Sequence, residues 1–331
     1  MNNHAHVIAE SEKCNLVFLR HLLNMTDISA YVTGSTQPKL SQSNLCAMKL
    51  PLPSMAEQNA IANVLSLFDR KIELNNQLND YLEQLVDGKF QELFGGLNFN
   101  ATLSDVAEIT MGQSPAGSSY NEEGAGIIFY QGRGEFGWRF PKRRLYTTEP
   151  KRLACEGDVL MSVRAPVGDL NVAFENCCIG RGLAAIHSET PSFALYLMRF
   201  LKPQLEAYNG EGTVFGSING KALKSLEVAL PSHNEVMQFE SFAAPIDALI
   251  RSNENETRKL NNLRNYLLPK LMSGEIDVSK VDLTQLTNNH LSGCGSFCSV
   301  CCPSGLASEF HEWFREHFFF GYGHLCKADL G

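Results

Sequence analysis

The chain has no apolar run long enough to span a bilayer, and its opening, Met1-Asn2-Asn3-His4, lacks the charged and apolar blocks of a signal peptide. A soluble, cytoplasmic protein with no membrane partner is expected. Basic residues are the minority, 28 against 36 acidic, for a net charge of -8. That balance argues against a generally basic nucleic-acid binder but leaves room for a local basic patch. Catalytic signatures are missing as well. No Asn-Pro-Pro-Tyr or Asp-Pro-Pro-Tyr stretch supports amino-methyl transfer, and no Pro-Asp pair precedes Glu149-Pro150-Lys151 to make a nuclease triad. His187 and His233 have no local Ser, Cys or Asp arrangement that would make a nucleophile. Gly132-Arg133-Gly134-Glu135-Phe136-Gly137 fits G-x-G-x-x-G by letter, but Trp138-Arg139-Phe140-Pro141 follows and starts no helix. A dinucleotide site needs that helix N-terminus, so the glycines mark a flexible loop.

Cysteine is not scarce: there are ten. Cys14, Cys46, Cys155, Cys177 and Cys178 are scattered and are expected to be buried thiols in a reducing compartment. Cys294, Cys298, Cys301, Cys302 and Cys326 crowd the end of the chain, beside His311, His317 and His324. The C-x3-C-x2-C spacing of Cys294, Cys298 and Cys301 can hold an iron–sulfur cluster, but a radical enzyme needs a large barrel after it; an unstructured tail is the simpler expectation, and a weak zinc site the second.

What is present in quantity is internal repetition. Residues 52–96 and 230–274 align without a gap from their shared Leu-Pro-Ser, pairing Glu57 with Glu235, Asp69 with Asp247, Asn75 with Asn253 and Gly96 with Gly274. Each copy has the spacing of one long helix. Ile61, Leu65, Phe68, Ile72, Leu78, Leu82 and Leu85 mark an apolar seam in the first copy. Phe239, Phe242, Ile246, Ile250, Leu260, Leu263 and Leu267 mark it in the second. Asn75 and Asn253 interrupt both seams at the same place, and a buried asparagine fixes register because one alignment satisfies its amide. Ser54 and Ser232 stand at the helix starts, and Pro245 predicts a kink or late start in the second copy. The two helices are expected to pair as an antiparallel coil within one chain; periodicity alone is equally compatible with a homodimeric coil.

The repeat extends beyond the helices. Phe18-Leu19-Arg20-His21-Leu22 resembles Leu197-Met198-Arg199-Phe200-Leu201, and Gly34-Ser35 resembles Gly216-Ser217. Residues 1–51 therefore look like the end of a globular domain whose remainder is missing, and residues 97–229 hold the complete one. Ile127–Tyr130, Asp158–Val163 and Leu183–Ile186 predict strands, and Phe193–Leu201 a helix. The expected fold is α+β: a mixed α/β domain with an irregular, curved sheet, plus two long helices at 52–96 and 230–280. Residues 281–331 have no repeat partner and are expected to be dispensable for the fold.

The local basic patch lies between Tyr130 and Arg152, where seven basic residues face two acidic ones. Gln131, Arg133, Arg139, Lys142, Arg143, Arg144 and Lys151 are its candidates for contact with double-stranded DNA, and Arg164 and Arg181, in Gly/Pro-rich loops, could join them. Arginine and glutamine can grip guanine and adenine edges, while lysine and arginine neutralise phosphates. Aromatic and glycine residues among the charges favour a binding surface over an ordinary solvated loop.

Four stretches carry a family resemblance: Met111-Gly112-Gln113-Ser114-Pro115, Phe129-Tyr130-Gln131-Gly132, Gly157–Gly168 and Ile179-Gly180-Arg181-Gly182. Together they resemble the target-recognition domain of type I restriction-modification specificity subunits, over roughly residues 16–280. The resemblance implies two recognition domains separated by two conserved helices, each domain reading half of a split DNA sequence. It implies methyltransferase (modification) subunits docked on the helices and motor-nuclease (restriction) subunits beyond them. Catalytic residues and metal sites are then expected to be none here, with S-adenosylmethionine, ATP and Mg belonging to the partners. The shortened first domain departs from the pattern, and a second specificity half-subunit is a further partner it admits. Two readings compete: a homodimerising coiled-coil scaffold without DNA binding, and a restriction enzyme with its own active site.

Overall fold

The structure, a computed structural model, describes residues 5–9, 11–34, 38–209 and 216–278. The Cys-rich tail and its candidate zinc ligands lie outside the described residues. The chain divides into two compact units, one drawn from residues 1–73 and 257–331, the other from residues 74–256. Among the described residues no helix is long and apolar enough to cross a membrane.

In the first unit α1 (Leu16–Met25) is capped by Asn15, whose Oδ1 accepts from the Val17 and Phe18 amides. A minimal hairpin of β1 (Val32–Thr33) and β2 (Lys39–Leu40) leads to α2 (Gln42–Ala47). The helix α3 (Met55–Phe94) begins in this unit. Phe18 and Leu22 of α1 pack on Ile61, Ala62 and Leu65 of α3 and on Leu271 of α8 (His233–Met272). Asp69 of α3 gathers three partners: Arg20, His21 Nε2 at 3.1 Å and Arg264 Nη1 at 2.8 Å.

The second unit holds the globular domain. In chain order its elements are β3 (Ala101–Thr102), α4 (Leu103–Val106), β4 (Glu108–Met111), β5 (Tyr120–Asn121), β6 (Ile127–Tyr130), β7 (Tyr146–Thr147), β8 (Leu153–Ala154), β9 (Val159–Ser162), β10 (Leu170–Val172), β11 (Cys177–Ile179) and β12 (Leu183–His187). Then come α5 (Pro191–Phe200), α6 (Lys202–Glu206), α7 (Gly220–Lys224) and β13 (Glu227–Val228). An antiparallel four-stranded sheet runs β10-β9-β12-β4, and a mixed five-stranded sheet runs β5-β7-β6-β11-β8 with β6 and β11 parallel. Successive strand residues point to opposite faces. Val159, Met161, Ala184 and Ile186 therefore enter one core, with α5 and the Phe90, Phe94 and Phe239 rings of the long helices. Leu160, Leu183 and Ala185 enter the other, against Ile128, Tyr130 and Ile179 of the five-stranded sheet. Burial on both faces explains why these strands are continuous apolar runs.

Each long helix spans 40 residues and opens on the same device. The Ser54 and Ser232 hydroxyls accept from the Glu57 and Glu235 amides, while those carboxylates accept from the serine amides at 3.0 and 2.8 Å. The helices pair antiparallel. In the first unit Asp69 meets Arg264; in the second, Asn253 Nδ2 donates to Asn79 Oδ1 at 2.8 Å and Asn75 Nδ2 to Glu256 Oε2 at 2.8 Å.

Three expectations need correction. Continuing the 3–4 spacing from Ile61, Leu65, Phe68 and Ile72 leads to Asn75, Asn79, Leu82, Val86 and Phe90, so the seam passes through Asn79 and Val86 rather than Leu78 and Leu85, which are exposed. Apolarity alone stepped over the polar pair and lost phase. In α8 the buried line is Phe239, Ala243, Ile250, Asn253, Thr257 and Leu260, with Ile246 and Leu263 half-buried beside it. Pro245 causes no late start: α8 is helical from His233 through Met272, with the proline on its exposed face. Cys46 and Cys155 are exposed and Cys14 is half-buried, so only Cys177 and Cys178 are the buried thiols expected.

Candidate nucleic-acid interface

The four motif stretches, far apart in sequence, meet at one end of β9, β12 and β6. The Gly112 amide donates to Leu183 O at 2.9 Å, and the Gln113 amide to Ile179 O at 3.0 Å. The Gly180 amide donates to Tyr130 O at 2.8 Å, and the Val163 amide to Gly182 O at 3.0 Å. This approach requires glycine: a Cβ on Gly112 would lie 2.1 Å from Gly180 O, and one on Gly180 would lie 2.7 Å from Gln131 O. After β9 the chain turns through Arg164 and the cis Ala165–Pro166 bond. The Ser162 hydroxyl fixes the turn, donating to Pro166 O at 2.6 Å and accepting from the Asp169 amide at 3.0 Å. Arg164 bridges to Ser217 as an isolated antiparallel pair, and the Arg181 amide donates to Ser114 Oγ at 3.3 Å.

The result is a rim of backbone-anchored loops presenting Gln113, Gln131, Arg164, Arg181 and Ser217, all exposed. Neither Arg164 nor Arg181 has a carboxylate partner among the described residues. Rigid backbone behind free guanidinium and amide groups is the arrangement that base-edge reading requires. Gln131, Arg164 and Arg181 are candidates from the sequence alone; Gln113 and Ser217 stand in its motifs but join them on the rim only in the fold.

The basic stretch separates into three groups. Lys142 and Lys151 are exposed and form no ion pair among the described residues. Arg133 pairs with Asp169, Arg143 Nε with Glu175 at 2.6 Å, and Arg144 Nη2 with the buried Glu135 at 2.9 Å. The Arg133 and Arg143 pairs are solvent-exposed and contribute about 0–1 kcal/mol, so a phosphate can replace the carboxylate there at small cost. Arg139 is the correction. Its side chain is only 4% exposed and cannot face DNA. Phe140 beside it is buried too, and the Arg139 guanidinium meets Asp247 of α8, Glu83 of α3 at 3.2 Å and the Tyr196 hydroxyl at 3.2 Å. Burial works against its charge, but Asp247, then Tyr196 and Glu83, overcompensate and hold the guanidinium above its usual pKa. Burial likewise pushes the Tyr196 hydroxyl up, so it stays protonated and donates to Asp247 at 3.0 Å.

A second basic feature escaped the sequence reading. A cleft of about 800 Å³ is lined by Arg152, Lys221 and Lys224 with Thr102, Ser104 and Thr110, against one carboxylate, Glu108. Lys221 and Lys224 are far from the basic stretch in sequence, so no charge run reveals them.

A family model for the type I restriction modification DNA specificity domain matches residues 1–84 and 100–265. The MjaX type I restriction enzyme specificity subunit described from Methanocaldococcus jannaschii is 35% identical over 289 residues, covering 80% of this chain and 68% of that protein. The crystal structure of the HsdS subunit from Thermoanaerobacter tengcongensis is similar with 30% identity and a TM-score of 0.42, covering 80% of this chain and 71% of that one. The type I restriction-modification S subunit from M. genitalium shares the fold at a TM-score of 0.55 and 20% identity, over 78% of this chain and 73% of that one. With its motif loops gathered on one rim and its twin helices paired, this chain belongs to the type I restriction-modification DNA specificity family and is a specificity subunit that recognises DNA.

Proposed function

We propose that the rim of Gln113, Gln131, Arg164, Arg181 and Ser217 reads base edges in one half of the DNA target. Lys142, Arg143, Arg144, Lys151 and the Arg152–Lys221–Lys224 cleft hold the phosphates around it. The observation that carries this reading is the convergence of four distant motif loops on one rim, where Arg164 and Arg181 have no carboxylate partner among the described residues. The chain performs no chemistry of its own. Methylation and cleavage belong to modification and restriction subunits, which bring S-adenosylmethionine, ATP and Mg²⁺, and the assembly works in the cytoplasm. A stripe on α3 supports docking of the modification subunits: Leu74, Leu78, Tyr81 and Leu85 follow 4–3–4 spacing and all are exposed.

Binding to duplexes with and without the preferred half-site, in the presence of modification subunits and across a salt series, tests the two classes of contact. Arg164→Ala or Arg181→Ala is expected to cost about 1–3 kcal/mol on the preferred half-site and to relax one or two base pairs. Lys142→Ala or Lys151→Ala should weaken all sequences alike and reduce the salt slope by about one. Equal losses on specific and random DNA for both arginines would move them to the phosphate class.

A further inference from the structure

The end of the four-stranded sheet opposite the rim carries a cluster that the DNA-reading function does not use. The sequence left His187 without a partner, but the fold supplies two. β9 and β12 pair Val159 with Ile186, which sets Asp158 beside His187 on the next strand, where His187 Nδ1 and Asp158 Oδ1 are 2.6 Å apart. The turn into β9 brings Cys155 back to the same point. Its amide donates to Asp158 Oδ2 at 2.8 Å, and the Asp158 amide to Cys155 O at 3.1 Å. The Cys155 thiol, an Asp158 oxygen and a His187 ring nitrogen all lie within 4.8 Å of one another.

We infer that Cys155, Asp158 and His187 form a site for a zinc-class divalent transition-metal ion. One sulfur, one nitrogen and one oxygen donor suit Zn²⁺, whereas Mg²⁺ demands an octahedral oxygen shell. Tetrahedral zinc, with bonds of about 2.0–2.3 Å, keeps its ligand atoms about 3.5 Å apart. The cluster reaches that spacing if the Asp158–His187 contact opens by about 1 Å and the Cys155 sulfur, within 4.8 Å of both, draws in on the ion, each a side-chain adjustment. Asp158 is buried and held by the turn, while Cys155 and His187 are exposed, so the ion has an oriented floor and an open approach. Glu108, opposite His187 on β4, adds negative charge alongside. On binding, the thiol proton leaves to solvent as the sulfur–metal bond forms, and solvent fills the fourth position. Asp158 and Arg164 are six residues apart with β9 between them, about 20 Å at about 3.3 Å per residue, so the ion lies far from the rim. Its role is therefore to clamp the β8–β9 turn to the end of β12.

Residue-resolved thiol alkylation on the full chain tests this, because it separates Cys155 from the other cysteines. Added Zn²⁺ should slow alkylation of Cys155 at least tenfold and leave the exposed Cys46 unchanged. Mg²⁺ should have no effect, and His187→Gln should remove the zinc protection; Cys155→Ser should lower the zinc bound by one ion per chain. An unaltered Cys155 rate in zinc, full protection in His187→Gln, or unchanged stoichiometry in Cys155→Ser would each overturn the inference.

Discussion

Arg139→Met is expected to destabilise the second unit by about 3–5 kcal/mol, because it leaves the enclosed Asp247 without a cation, while Glu83 keeps Arg199 Nη1 at 2.9 Å. Asp247 and Glu83 are 19% and 16% exposed, too enclosed for water to replace the arginine fully. At about 2–4 °C per kcal/mol for a unit of this size, the melting temperature should fall by roughly 10 °C. Adding Asp247→Leu should recover part of the loss, since a paired deletion in a buried network costs less than breaking it on one side. Chemical denaturation of the single and double variants measures both effects. Loss of DNA binding with full stability in Arg139→Met would restore the role that the sequence suggested for this residue.

Tyr81→Asp combined with Leu85→Asp should abolish assembly with the modification subunits while leaving the chain folded. Tyr81 is 70% exposed and Leu85 54% exposed, so neither contributes to the helix seam or to a core. Anchor residues of an interface each cost about 2 kcal/mol or more when truncated, so with Tyr81 and Leu85 as two anchors of the stripe association should weaken by about 4 kcal/mol, on the order of a thousandfold. Titration of the purified subunits, with a thermal melt of the variant, gives both readouts. Unchanged affinity would place the docking surface elsewhere on the chain.

The features legible in the sequence are those set by short-range rules. The serine–glutamate capping boxes occur where Leu-Pro-Ser places them. β6 coincides with the apolar run Ile127–Tyr130, and β12 extends the run from Leu183 by one residue. Features set by contacts between distant segments are hidden from the sequence. The helix seam carries polar residues at Asn75 and Asn79 because they bond across the helix pair, so a search by hydrophobicity could not follow it. Arg139 looked like one more charge in a basic run, and only the carboxylates from both long helices reveal it as an internal strut. Lys221 and Lys224 join Arg152 through α7 packing near β4, where Gly220 lies against Met111. The rim was half legible: its motifs were recognised, but backbone hydrogen bonds decide which of their side chains stand on a shared edge.

The central claim is that the rim reads sequence. It is tested most directly by mapping every methylated site on genomic DNA after reconstitution with modification subunits, comparing the parent chain with a Gln131→Ala, Arg164→Ala, Arg181→Ala variant. The account predicts a target that loses its preference at one or more base pairs of the half read by residues 97–229. An unchanged target sequence in a variant that still folds and assembles would contradict it.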